Sequence, residues 1–65
     1  MGRGYDRELR ELLSAAGCYF VRQGKGDHEI WYSPISKRNF TVDRGVQVRH
    51  TANGTLKDAG LDKAF

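Results

Sequence analysis

Val21-Arg22-Gln23-Gly24-Lys25-Gly26-Asp27-His28-Glu29-Ile30-Trp31-Tyr32 is the stretch whose reading decides the fold. It begins extended, breaks at Gly24-Lys25-Gly26, and resumes behind His28, which is the pattern of two strands joined by a tight turn. Glycines at 24 and 26 permit the positive φ angles of such a connection. They also remove side chains from the backbone beside Lys25 and His28, so a ligand can approach closely.

The flanks extend the pattern. Upstream, Tyr5, Leu9, Leu12, Leu13 and Ala16 recur at helical spacing, with Arg7, Glu8, Arg10 and Glu11 on the other side. That spacing predicts an amphipathic helix over 5–16, its leucine stripe in the core, ended by Gly17. Cys18 to Gln23 reads as a first strand and Asp27 to Ser33 as a second, closed by Pro34, which cannot donate to a ladder. Lys37-Arg38 reads as the next turn. Asn39 to Asp43 follows as a third strand with Phe40 and Val42 inward, and Val46 and Val48 as a short extended piece. A last helix is expected between His50 and Ala59, with Ala52, Leu56 and Ala59 inward and Gly60 as its cap. Gly54 inside it costs about 1 kcal/mol relative to alanine. The expected class is α+β, in the order α-β-β-β-α. A three-stranded antiparallel sheet carries both helices on one face, and residues 1–65 form a single domain.

At 65 residues, a chain buries only about 60% of its unfolded surface. Little room is left for an enclosed substrate cavity, so any catalysis belongs on an open surface and acts on something large. The net charge is +3. Its excess lies in the middle, where Arg22, Lys25, Lys37, Arg38, Arg44 and Arg49 face only Asp27, Glu29 and Asp43. An anionic partner is expected from that distribution. Cys18 is the single cysteine, which fits a reducing compartment and excludes an internal disulfide. With no apolar run at the N-terminus and no membrane-length segment, the expected location is cytoplasmic.

His28 is the sharpest chemical candidate. An imidazole takes and returns a proton near neutrality, and RNA carries its own nucleophile in the 2′-hydroxyl. A ribonuclease then needs a base, an acid for the leaving oxygen and cations for the phosphate, and one histidine beside Lys25 and Arg22 can supply the first and last of these without metal. Arg22, Lys25, Lys37, Arg38 and Arg49 are the candidate phosphate contacts. Asp27 and Glu29 flank His28, either orienting it or standing as solvated edge residues. Tyr19, Trp31 and Tyr32 suit base stacking, a partner interface or the core. No Cys-x-x-Cys or His-x-x-x-His spacing occurs, so neither a metal site nor a cofactor is expected. Three functions stay open: a ribonuclease acting through His28, an RNA-binding module without catalysis, and an interaction domain for an acidic protein.

Several pieces together resemble the HicA toxins, a family of messenger-RNA endoribonucleases from bacterial toxin–antitoxin pairs. They are Glu11-Leu12-Leu13 with Ala16-Gly17, Phe20-Val21-Arg22-Gln23, Gly26-x-His28, Ile30-Trp31-Tyr32, and Leu56-Lys57-x-Ala59-Gly60-Leu61. The resemblance implies a fold similar to a double-stranded-RNA-binding domain, and catalysis by His28 without metal. It also implies silencing by a HicB-like antitoxin, for which Trp31 and Tyr32 are the expected anchor. The family pattern has serine where this chain has Asp27, which changes the charge beside the histidine. Gly54 is a second departure.

Overall fold

The computed structural model describes residues 4–65. Its elements run α1 (Asp6–Ala15), β1 (Tyr19–Gln23), β2 (His28–Ser33), β3 (Arg38–Asp43) and α2 (Arg49–Asp58). The strands form one antiparallel sheet in the order β1-β2-β3. One apolar cluster joins Leu9 and Leu13 of α1, Trp31, Phe40 and Val42 of the sheet, and Ala52 and Leu56 of α2. Both helices therefore cover the same face, as the shared need of their two stripes for one cover predicts. Leu9 and Leu13 are fully buried, worth about 1.5–3 kcal/mol each relative to exposure.

Both helices stop in the same way. Gly17 and Gly60 adopt positive φ after the last turn, at +93° and +86°. The residues that follow, Cys18 and Leu61, donate their N–H groups back to Leu13 and Leu56 at 2.9 and 2.8 Å. This is the Schellman arrangement, and it satisfies carbonyls that a helix end otherwise leaves bare. A buried Ser33 locks the far end of the sheet to α2. Its hydroxyl donates to the Ala59 carbonyl at 2.6 Å and accepts from the N–H groups of Ile35 and Ser36.

Three expectations need correction. Val46 and Val48 add no strand: Val46 is buried and its carbonyl accepts from the Tyr5 N–H, while Val48 is exposed. Leu12 lies at the margin of the α1 stripe, 38% exposed, because Leu9 and Leu13 already occupy the line facing the sheet. The second turn occupies residues 34–37, so Arg38 opens β3 opposite Ser33 instead of sitting in the turn.

One irregularity sets which side chains share a face. Tyr19 pairs with Tyr32 and Phe20 with Trp31, but the next partner of β2 is Arg22, opposite Ile30. Val21 is thus an extra residue, a β-bulge. Strict alternation would put Tyr19 and Arg22 on opposite faces. The bulge puts both on the face away from the helices, together with His28, Ile30 and Tyr32 of β2 and Asn39, Thr41 and Asp43 of β3.

Candidate functional site

The strand parity of β2 separates structure from chemistry. Glu29, Trp31 and Ser33 turn toward the helices, while His28, Ile30 and Tyr32 turn outward. His28 stands at the first position of β2 with its side chain 50% exposed. Behind it the turn is held from several directions. The His28 N–H donates to the Lys25 carbonyl, and the Gln23 side-chain amide donates to the carbonyls of Gly26 and His28. The Arg44 N–H reaches the Asp27 carbonyl at 3.1 Å. Of the two turn glycines only Gly26 uses positive φ, at +61°. Gly24 is needed for space, since a Cβ there would lie 3.2 Å from the His28 carbonyl oxygen.

Arg22 lies on the open face opposite Ile30, and Lys25 stands exposed in the turn that leads to His28. Neither makes an ion pair among the described residues, which leaves both charges for an anion. Lys37 and Arg38 are elsewhere. Arg38 pairs with Ser33 at the other end of β2, five residues or about 17 Å from His28. Arg49 opens α2. Arg44, next to Asp43, belongs to the His28 end of the sheet, although its guanidinium also comes within 3.8 Å of Glu29.

The aromatic pair divides. Trp31 is 6% exposed in the core, so it offers no surface to a partner. Tyr32 faces out and meets Tyr19 with ring centroids 5.5 Å apart. Together they make an aromatic platform on the same face as His28.

Glu29 does not orient His28. It points to the helix side, where Arg10 donates to it at 2.8 Å and the Trp31 indole at 3.0 Å. These hydrogen bonds, the one from Arg10 above all, hold its carboxyl below the ordinary glutamate range against the opposing effect of burial. For Arg10, burial alone would lower the pKa, but Glu29 and Asp6 outweigh it and the net shift is upward. The residue that does meet His28 is Asp43, its cross-strand partner on β3, whose Oδ1 lies within hydrogen-bond reach of the ring Nδ1. Sequence reading did not single it out as a site residue.

Among the described residues no three His, Cys, Asp or Glu side chains gather as metal ligands would. No described helix is long and apolar enough to cross a membrane. His50, in contrast to His28, lies on α2 beside Asn53 and Lys57 in a shallow groove under the C-terminal residues, in the other layer of the fold.

These features define a small α+β domain whose uncovered sheet face carries a histidine, a carboxylate, an arginine and an aromatic pair, with a lysine in the adjoining turn and neither cation paired among the described residues. Residues 7–61 match the family described as "HicA toxin of bacterial toxin-antitoxin", and the chain belongs to that family. Comparisons with curated proteins and with solved structures returned no significant match.

Proposed function

We propose that this toxin is an endoribonuclease that cuts messenger RNA in the cytoplasm without a metal, with His28 as its general acid and base. The observation that carries this reading is the outward placement of His28 on the uncovered sheet face, half exposed, with Arg22 and Lys25 at the same end and no acid paired to either. Such an edge takes a phosphodiester without requiring a cavity. His28 accepts the proton of the 2′-hydroxyl as that oxygen bonds to the neighbouring phosphorus. The bond from phosphorus to the leaving oxygen breaks, and the imidazolium returns its proton there, so no net proton is consumed. Arg22 and Lys25 bind the phosphate oxygens, and Tyr19 and Tyr32 stack on exposed bases further along the strand. The same face suits a HicB-like antitoxin, with Tyr32 as its aromatic anchor; an antitoxin seated there occludes His28.

The test is cleavage of RNA in the presence of a metal chelator by the unaltered protein, His28→Ala and His50→Ala. Loss of a general base costs about 10²–10⁴ in rate. His28→Ala is expected to lose cleavage on that scale while keeping most of its RNA affinity, and His50→Ala to change little. Cleavage at full rate by His28→Ala ends the reading. Binding without cleavage by the unaltered protein replaces it with a non-catalytic RNA module.

A further inference from the structure

We propose that Asp43 is the positioning residue for His28, holding the imidazole as the Nδ1–H tautomer so that Nε2 is the atom that receives the 2′-hydroxyl proton. The proposal rests on the reading of His28 as the base, and adds to it the atom that reacts and the residue that selects it.

The geometry begins in the ladder. His28 and Asp43 are directly paired across β2 and β3, so their side chains project from the same face at neighbouring positions. The ladder fixes Asp43 at the last position of β3, and the Arg44 N–H bond to Asp27 ties the following residue to the His28 turn. The contact is between Asp43 Oδ1 and Nδ1, the ring nitrogen nearer the backbone. An ionised carboxylate has no hydrogen to give, so in this contact Nδ1 must carry one. A neutral imidazole has a single N–H, and with that hydrogen on Nδ1 the lone pair is on Nε2. When Nε2 takes the 2′-hydroxyl proton, the resulting imidazolium keeps its Nδ1–H on Asp43, and the carboxylate stabilises the positive charge. When Nε2 gives the proton to the leaving oxygen, the starting tautomer returns. Asp43 never changes protonation.

An ordinary cross-strand ion pair would produce the same contact without this consequence. Half-exposed pairs of that kind contribute only about 0.2–1 kcal/mol to stability. The tautomer separates the two, because a surface pair formed only with the charged ring sets no preference in the neutral one.

The experiment is a long-range proton–nitrogen NMR spectrum of the His28 ring in the intact protein, at a pH where its own titration shows it neutral, alongside RNA cleavage rates. The unaltered protein is expected to show Nδ1 protonated and Nε2 bare. Asp43→Asn keeps the side-chain size but presents an amide that donates to Nδ1, so the ring is expected to move to the Nε2–H form. Cleavage should then fall about tenfold to a hundredfold, less than removal of the base itself. An Nε2–H ring in the unaltered protein overturns the proposal without any variant. So does Asp43→Asn or Asp43→Ala cutting at the unaltered rate while His28→Ala is dead, and in that case the reading of His28 as the base stands. Full cleavage by His28→Ala removes that reading and the proposal with it.

Discussion

Replacing Arg10 with methionine should destabilise the protein strongly at neutral pH and much less in acid. Arg10 donates to Glu29 at 2.8 Å and to Asp6 at 3.1 Å, and its guanidinium lies 5.8 Å from the centre of the Trp31 ring. The Glu29 side chain is only 12% exposed, so its charge depends on these partners. Methionine keeps an unbranched stem over the indole and removes the charge. A hydrogen bond to a charged group is worth about 1.5–3 kcal/mol. Arg44, 3.8 Å from the other Glu29 oxygen, and the Trp31 N–H remain and keep the loss near the lower half of that range, about 2 kcal/mol. For a domain of this size that is a fall in melting temperature of about 8–16 °C. The pH dependence follows from the lowered pKa of Glu29. A carboxylate whose native pKa lies below its unfolded value of 4.5 stabilises fully above that value and loses the effect as pH falls through the native one. The variant lacks the main cause of the lowering, so the two melting curves should converge on acidification. Thermal unfolding followed by circular dichroism at about pH 7 and in successive steps into acid follows the gap between the two proteins. A gap under about 3 °C at neutral pH, or one that does not narrow at any step of acidification, refutes the account of Glu29 as a charge held by Arg10.

RNA affinity should fall with salt, with a log–log slope of about −0.7 for each single-strand phosphate engaged; a flat dependence in a filter-binding titration would favour a protein partner over RNA. Ser33→Ala leaves the Ala59 carbonyl and two loop N–H groups short of a partner and should cost about 1–3 kcal/mol in urea unfolding. Gly54→Ala should do the reverse. It lies inside α2, a Cβ there meets nothing within 4 Å, and alanine is worth about 1 kcal/mol more in a helix. A drop in stability for that variant would mean that Gly54 has a structural task not visible in its surroundings.

Periodicity was enough for the elements and their order, because the burial that stabilises each one is written in its own spacing. The stripe of Leu9 and Leu13 needs no partner to be recognised. Parity along β2 puts His28 with Ile30 and Tyr32 and apart from Trp31, but parity alone does not say which side is core. The answer lay in the other elements: Trp31, Phe40 and Val42 together meet both helices. Asp43 escaped notice for a reason of register. With Arg38 placed in the turn and the third strand opening at Asn39, Ser33 would meet Asn39 and His28 would meet Arg44, a slip of one residue. With the turn at 34–37, Ser33 meets Arg38 and His28 meets Asp43. A one-residue error in a turn is enough to hide a cross-strand pair. Glu29 was misplaced for a different reason. Neighbours in sequence on a strand point to opposite faces, so adjacency to His28 was the wrong measure of contact.

The extra residue at Val21 makes the face of Arg22 a matter of counting. The hairpin turn, pinned by Gln23 and by the Gly24 N–H on the His28 carbonyl, fixes the strand from one end. Helix α1 and the Tyr19 and Phe20 pairings fix it from the other. Between those anchors the chain has one residue more than a regular ladder needs. Alanine scanning cannot expose this, since a substitution at 21 leaves the length unchanged. Deleting Val21 does. Tyr19 and Arg22 are then two residues apart, so a regular ladder keeps Tyr19 opposite Tyr32, Phe20 opposite Trp31 and Arg22 opposite Ile30, with every face unchanged. Deleting Val21 alone should therefore be tolerated, while removing a second residue between Tyr19 and Arg22 leaves no surplus and forces one of the two side chains onto the helix face.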